Sequence, residues 1–448
     1  MTDYYCDLGQ GYADKSGVDH TGNQYLGPGG LQAAIRGTGL ATALSAGDVV
    51  HVAGTADQAL LVLLRGGKDI SGWSLGATVV DNDTGAKWSG VVCQVNVGVN
   101  TDVLVELASG DEDSITLADG INNTTDSDTT TLASKSTPGL HIDTLWGDNS
   151  SGPIELRGCD AAWTDYAAVF GLDGGGKAAH NVSLDGKSYI RLAYAAMTNA
   201  AGSGLYCSGG NYNSVHHVAV DGAGSHGIEF GGSPTYLCAW TELVVVNSGA
   251  NAINGAPRYG FLLADSVIAG NAGLGIDPTF GGDVANCLIY DNSGHGVVNS
   301  TNLTATRCTI DDNGGDGVYA DAGAGVGAVT HSRISNNAGY GINCAAGAGQ
   351  LWADWNVLGG NVGGDTNNVT DRGNSLTSQT PAQIGYRDQA GRDYRLTRGA
   401  VLAGPHAAAV DLDWYNAAQR AYLTAGAQPI RYKRRRALLG FGDMACAE

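Results

Sequence analysis

The chain has 448 residues, 43% of them hydrophobic, which is enough to bury a large core. Its 44 acidic residues outnumber its 24 basic residues, and the resulting net charge of −20 repels nucleic acid and anionic membrane. We therefore expect no nucleic-acid partner and no membrane association. The charge favours cationic partners or, more simply, keeps a glycine-rich β protein soluble.

The N-terminal sequence MTDYYCDLGQ lacks the basic and apolar regions of a secretory signal, which predicts assembly in the cytoplasm. The nine cysteines include no CxxC pair, so neither a disulfide scaffold nor a zinc ribbon is expected. No Walker, Rossmann, Ser-elbow or HExxH motif occurs. The sequence therefore predicts no metal and no cofactor.

Two segments precede the regular part of the chain. Residues 1–70 contain an amphipathic helical stretch around Leu31–Leu44, a Gly-Asp turn and a strand at Val49–Val52. Residues 71–150 alternate apolar and polar residues, which is typical of antiparallel strands with one wet face. We predict a small β module there, inserted into the first turns of the fold, with a loop over 122–137.

Residues 197–365 contain an internal repeat. Its apolar anchor residues are separated by 23, 25, 23, 21, 21, 24 and 23 residues, a spacing typical of a solenoid. The anchors are Met197, Val220, Val245, Ile268, Ile289, Ile310, Ile334 and Val357. Short β-branched runs around them predict strands. If each repeat forms one coil, the anchors stack as a buried ladder with about 4.8 Å between coils.

Each repeat also carries a corner signal. Glycine follows the anchor by seven residues in most repeats, for example at Gly296 and Gly317, and asparagine follows by three at Asn292 and Asn313. Glycine and asparagine enter left-handed backbone conformations at low cost. We therefore predict one tight corner at the same place in every coil.

This repeat resembles the right-handed parallel β-helix proteins, the superfamily of pectate lyases and phage tailspikes. The resemblance implies an all-β fold, a right-handed parallel β-helix over 151–390, with a core ladder that includes Val220, Val245, Ile268, Ile289, Ile310 and Ile334. It also implies an N-terminal capping helix, because the first coil exposes unpaired backbone. Cys287 and Cys308, each two residues before an anchor, are interpreted as stacked buried thiols or, alternatively, a disulfide.

Residues 391–448 are predicted to close the solenoid and to end in a basic tail. The segment RDYRL and the turn that follows resemble the closing segment of many β-helix proteins. The tail contains five basic residues, Arg431, Lys433, Arg434, Arg435 and Arg436. It is either a solvated tail or a docking segment for an acidic partner, and nucleic-acid binding is the weakest alternative.

Carboxylates that stack on neighbouring coils are the candidates for catalysis. Asp291 and Asp312 each follow an anchor by two residues, so one coil separates them, a distance that suits a retaining glycosidase. His295 and Asp316 follow by six and stand in one column with Tyr340, where they could act as acid, base and sugar platform. The simpler explanation is that these polar residues shape turns.

Two classes of function fit the sequence. The first is a non-enzymatic virion structural protein, in a decoration, spike or tail role, because residues 71–150 resemble a β insert of bacteriophage structural proteins. The tailspike resemblance then implies a homotrimer that contacts other virion proteins. The alternative is a polysaccharide depolymerase, or an adhesin that binds a host-surface glycan without cleaving it.

Overall fold

Short parallel strands, each hydrogen-bonded to the equivalent strand one coil further on, form the main body of the described part of the chain. The computed structural model describes residues 2–13, 24–36, 44–82, 87–95, 99–110, 112–117, 120–141, 152–165, 168–236, 238–259, 261–276, 282–346 and 350–396. The parallel strands of these residues form three faces of a β-solenoid, which we number one to three in the order in which the chain visits them.

Face one begins at the N-terminus and runs the length of the solenoid. Its strands are Gln24–Leu26, Asp3–Asp7, Val49–Ala53, Ile154–Gly158, the first halves of Ile190–Thr198 and Ser214–Asp221, Ala239–Thr241, Leu262–Ala264, Gly282–Ala285, Leu303–Thr306, Gly327–Thr330, Leu351–Asp354 and Thr370–Asp371.

Face two follows face one after a single bend and contains the anchors. Its strands are Thr55–Asp57, Phe170–Asp173, the second halves of Ile190–Thr198 and Ser214–Asp221, Val244–Val246, Val267–Ala269, Leu288–Tyr290, Thr309–Asp311, Arg333–Ser335 and Val357–Gly359.

Face three closes each coil. Its strands are Leu140–His141, His180–Asp185, Ser203–Ser208, Ile228–Tyr236, Ile253–Tyr259, Val297–Asn299, Val318–Ala320, Tyr340–Cys344 and Gly364–Asn367. Ile276 bridges the two parts of this face through single pairings to Ile253 and Val297.

The anchors of face two point inward and pair in register from coil to coil. Val220 pairs with Val245, Ile268 with Ile289, and Ile310 with Ile334, and all six side chains are at most 1% exposed. Burial of each such side chain contributes roughly 1.5–3 kcal/mol, and because each coil contacts only its neighbours the contributions add along the solenoid.

The last anchor is Leu358, not Val357 as predicted, because Ile334 pairs with Leu358. The repeat spacing there is therefore 24 residues, obtained by subtracting 334 from 358. This correction brings Asn361 into the position three residues after the anchor, where the sequence pattern had shown glycine.

The corner is present in each of these coils, but its residues play different parts from those predicted. The left-handed residue follows the anchor by two, as in Asn247, Asp291 and Asn336, with φ near +54°. The asparagines three residues after the anchor are buried and hydrogen-bonded to one another. They are Asn271, Asn292, Asn313, Asn337 and Asn361.

The glycine seven residues after the anchor serves packing rather than backbone conformation. Neither Gly296 nor Gly317 has a positive φ. A Cβ atom on Gly317 would lie 2.5 Å from Cγ2 of Ile334, the anchor of the next coil, and one on Gly296 would lie 2.7 Å from Cγ2 of Ile310. Glycine is needed because the anchor of the following coil occupies that space.

Cys287 and Cys308 are buried, free thiols on adjacent coils, and no disulfide joins them. The Cys287 thiol contacts the carbonyl oxygens of Leu263 and Ala285, and the Cys308 thiol contacts those of Val284 and Thr306. They share a column with Ser266 and Ser332, and the backbone N–H of Cys308 donates to Oγ of Ser332 at 3.1 Å.

A helix, Gly27–Arg36, follows the first strands. Its Leu31, Ala34 and Ile35 are buried in the same apolar cluster as the anchors. It is shorter than the stretch predicted around Leu31–Leu44, of which residues 37–43 lie outside the described part of the chain. That this helix seals the end of the core stays a prediction.

The inserted module is a separate closed barrel of six antiparallel strands. Its strands are Leu61–Gly66, Thr78–Asp81, Ser89–Val95, Asp102–Ser109, Gly120–Asn123 and Asp128–Ser136, and it has its own apolar core. The module begins ten residues earlier than the predicted boundary at 71. The predicted loop over 122–137 is wrong, because most of it forms the last two barrel strands.

A short hairpin ends the described chain. Helix Pro381–Ile384 leads into strands Tyr386–Asp388 and Asp393–Leu396, which pair antiparallel and lie on the outside of face two. In the described ranges the remaining short helices are the 3-10 turns Gln58–Leu60 and Glu112–Ser114. Among the described residues, no helix is both long enough and apolar enough to cross a membrane.

Candidate functional site

The outer surface of the first coils of face one carries a dense set of charged and imidazole side chains. Strand residues alternate between core and surface, so Glu155 and Arg157 point outward on either side of the buried Leu156. Register then sets Arg191 beside Glu155, and His216 two coils along from Arg157. We call Glu155, Arg157, Asp165, Arg191 and His216 the charged strip.

A chain of ion pairs connects Glu155, Arg157, Asp165 and Arg191 of the strip. Arg157 donates to both oxygens of Glu155, from Nε at 3.0 Å and from Nη2 at 2.8 Å, and its Nη1 donates to Asp165 at 2.6 Å. Nη1 of Arg191 lies 3.5 Å from Oε2 of Glu155. Two-pronged contacts between arginine and carboxylate are geometrically specific. The side chain of Arg191 is still 39% exposed and faces solvent.

His51 extends the strip toward the N-terminus. Its Nδ1 lies 2.6 Å from Asp165, and its Nε2 lies 3.2 Å from Asp3. The ring also stacks on Tyr5 with 4.8 Å between centroids. Segments that precede the barrel in sequence and a segment that follows it are therefore joined by polar contacts at this surface.

His216 is the group in the strip best placed for proton transfer. The pKa of His216 is lowered to about 4, chiefly by burial and then by the neighbouring His217, while Glu155 opposes the shift. Nδ1 of His216 lies 3.2 Å from Nδ1 of His217, which contacts Glu242 at 2.9 Å. At neutral pH His216 is a neutral imidazole within the electrostatic influence of Arg191, and a neutral imidazole can accept a proton.

Asp291 and Asp312, the carboxylates singled out from sequence, lie on another part of the surface. Both have positive φ, 55° and 54°, at the corner after face two. Both contact Arg392 of the C-terminal hairpin, Asp312 at 3.2 Å. Burial raises the pKa of Asp291, and Arg392 opposes this shift. Their place at the corner and their partner give them a role in holding the hairpin.

The neighbouring Asp311 is bound still more closely to the hairpin. It accepts hydrogen bonds from Gln389 at 2.7 Å and from the Tyr394 hydroxyl at 3.1 Å, as well as from Ser335 and Asn336 of the next coil. Burial raises the pKa of Asp311. Asp291, Asp311 and Asp312 thus form an attachment surface for the chain's own C-terminal segment.

His295 and Asp316 are brought together at the start of face three, where each accepts a backbone hydrogen bond from the next coil. Nδ1 of His295 accepts the N–H of Asp316 at 2.7 Å, and Oδ1 of Asp316 accepts the N–H of Tyr340 at 2.5 Å. Burial lowers the pKa of His295, and Asp316 opposes this shift. These two side chains therefore link successive coils at the start of face three.

Two further sequence predictions concern the basic tail and metal binding. The basic tail, Arg431, Lys433, Arg434, Arg435 and Arg436, lies outside the described residues. Among the residues that the structure describes, no group of three or more His, Cys, Asp or Glu side chains is arranged to hold a metal ion.

Sequence reasoning missed the charged strip. The strands Ile154–Gly158 and Ile190–Thr198 are recognisable from alternation, and so are their outward residues. The contact between Arg157 and Asp165 depends on the course of a loop. The contact between Glu155 and Arg191 depends on the length of one coil, which is 36 residues (191 minus 155). No repeat in the sequence marks either contact.

The three stacked faces agree with a match between part of the sequence and a protein-family model. Residues 203–358 match the family model described as "Right handed beta helix region". The described residues fold as a parallel β-solenoid, as predicted from the sequence, and residues 203–358 are similar to right-handed β-helix repeats.

The solved structures to which the chain is similar include two lyases and an epimerase. Pectate lyase Pel9A has a TM-score of 0.48 at 10% identity, covering 92% of this chain and 88% of its own. A rhamnogalacturonan lyase has a TM-score of 0.47 at 12% identity, covering 93% and 98%. The periplasmic alginate epimerase AlgG has a TM-score of 0.34 at 13% identity, covering 55% and 76%. The search of curated proteins found no match.

Proposed function

We propose that this β-helix protein binds and cleaves an acidic polysaccharide on the charged strip. The observation that carries the proposal is the position of His216, a neutral imidazole whose charge environment includes Arg191 and Glu155. A polysaccharide that contains uronic acids presents carboxylates, which guanidinium groups recognise well.

The chemistry best suited to these groups is elimination. Arg191 is exposed enough to neutralise the carboxylate of a bound uronate, which makes the proton on the adjacent carbon more acidic. His216 accepts that proton, the electron pair forms a carbon–carbon double bond, and the glycosidic oxygen leaves with a proton from water. Glu155 and Asp165 hold the guanidinium groups in place.

The test uses the full chain with polygalacturonate and with alginate as substrates. The ultraviolet absorbance of the conjugated double bond reports elimination directly. His216→Gln should reduce turnover at least about a hundredfold, because a positioned base contributes that much. His295→Gln, on face three, is the matched control and should retain activity. A chain that binds neither polymer and forms no unsaturated product would refute the proposal.

A virion structural role is the competing proposal. The barrel supports it, because a separately closed module with its own core is suited to dock on a neighbouring subunit. This role predicts no cleavage product, and association with other virion proteins through the barrel or the basic tail. The homotrimer and the location in a virion are parts of the same proposal.

A further inference from the structure

Two stacked tyrosines stand at one edge of the charged strip. The ring centroids of Tyr189 and Tyr212 are 4.7 Å apart and the rings are nearly parallel, at 15°. Arg191 pairs with Ser214, and each tyrosine lies two residues before one of these, so the two rings hold equivalent positions on adjacent coils. Tyr212 is 45% exposed, which is unusual for a large side chain in this molecule.

Both tyrosines occupy a backbone conformation that disfavours them. Their φ angles are 58° and 59°, in the left-handed region that glycine and asparagine enter most easily. A bulky ring at such a position costs free energy, and costs of this kind concentrate at functional sites. The same conformation recurs at the bends of other coils, for example at Glu242, Arg307 and Trp355, so it fixes where the rings stand and does not by itself mark a site.

A second stack borders the opposite edge of the strip. Tyr194 and His217, with φ of 56° and 55°, stack at 4.3 Å between centroids. Five residue steps separate Tyr189 from Tyr194, so the floor between the two edges is about 16 Å wide at roughly 3.3 Å per residue. Arg191 points outward from that floor. The surface thus combines a charged floor with aromatic edges.

We propose that the Tyr189–Tyr212 stack is a sugar-binding subsite for the acidic polysaccharide that the charged strip takes. This inference rests on the proposed function. The apolar C–H face of a pyranose ring packs against exposed tyrosine, while the carboxylate of the same or the next sugar reaches Arg191. The two stacked rings cover each other's facing sides, so the sugar packs against the exposed part of Tyr212.

The test measures affinity and turnover separately. Isothermal titration of the full chain with polygalacturonate oligomers gives Kd, and the unsaturated product gives kcat and KM. Tyr212→Ala should raise Kd and KM about tenfold, which corresponds to about 1.4 kcal/mol, and leave kcat within about twofold, since the ring is removed from the binding surface only. Tyr212→Phe keeps the ring and should restore most of the affinity that Tyr212→Ala loses.

Tyr319→Ala is the matched control. Tyr319 lies on face three, stacked on His295 at 4.7 Å, and its loss should leave Kd unchanged. If the unchanged chain binds the oligomers and Tyr212→Ala binds them equally well, the subsite is refuted and the proposed function stands. If the unchanged chain binds no acidic oligomer, both proposals fail together. Circular dichroism confirms that each variant is folded.

Discussion

The side-chain amide of Asn313 donates a hydrogen bond of 2.9 Å to the side-chain oxygen of Asn337, one coil further on. Asn313 accepts equivalent bonds from Asn292, from its backbone N–H at 3.2 Å and its side chain at 3.0 Å. The asparagines thus form a continuous ladder inside the solenoid, and each member satisfies donors that water cannot reach.

Replacing Asn313 by alanine should destabilise the solenoid markedly. Two buried donors of Asn292 lose their acceptor, and each unsatisfied donor costs about 1–3 kcal/mol, so we expect a loss of roughly 2–6 kcal/mol. The midpoint of urea unfolding measures it. Asn374→Ala removes an exposed hydrogen bond to Asp354 and is the control. Equal midpoints for the two variants would contradict a structural role for the ladder.

Gly317→Ala should also destabilise, for a steric reason. The added methyl group would meet Cγ2 of Ile334 at 2.5 Å, and overpacking of a close-packed core costs about 1–3 kcal/mol. Gly72→Ala, where no atom lies within 4 Å of the new Cβ, should have little effect. Thermal unfolding of both variants decides the matter. A tolerated Gly317→Ala would mean that neighbouring coils separate easily.

Glu106 should make stability depend on pH. Burial raises the pKa of Glu106 from its usual 4.5 to about 7, against the effect of the Gly29 N–H, which donates to it at 2.8 Å. Between these values the unfolded chain has already lost the proton that the folded chain keeps. Stability therefore falls as the pH rises from about 4.5 to 7, by about 3 kcal/mol in total.

Glu106→Gln removes the titrating group and should flatten this part of the pH profile. Urea unfolding at a series of pH values measures the slope for both chains. Asp371→Asn, an exposed change on face one, should leave the slope as it is in the unchanged chain. A variant Glu106→Gln with the original slope would show that another group is responsible.

Arg392→Met should loosen the C-terminal hairpin. Without the guanidinium group, the carboxylates of Asp291 and Asp312 lose a shared partner and repel each other. We expect a loss of about 1–2 kcal/mol and faster proteolysis within 386–396. Arg387→Met, on the same hairpin but 61% exposed and 4.0 Å from Asp393, is the control. Identical digestion of the two variants would contradict the role assigned to Arg392.

The solenoid could be predicted from the sequence because its signal is local and repeated. Each coil carries an apolar anchor and a corner, and most coils carry a glycine seven residues after the anchor. A regular spacing of 21 to 25 residues is therefore enough to predict that the coils stack. The error at Val357 arose because Val357 and Leu358 are both buried, and only the pairing with Ile334 identifies the anchor.

The functional surface could not be predicted in the same way. The strand Val49–Ala53 pairs with Ile154–Gly158 although the whole barrel lies between them in sequence, and this pairing helps to bring His51 to Asp165. Arg392 likewise reaches Asp291 from about a hundred residues away. Carboxylates in a repeat column are visible in the sequence, but their partners from distant segments are not.

Hydroxyl-radical footprinting with a bound uronic-acid oligomer tests the site most directly, because it reports which side chains the ligand covers. We expect slower oxidation of Tyr212 and His216 when the oligomer is bound. The oxidation of Tyr319 on face three and of Trp355, which is 36% exposed, should not change. Protection of Tyr319 or His295, with Tyr212 and His216 unaffected in the presence of bound oligomer, would contradict the placement of the site on face one.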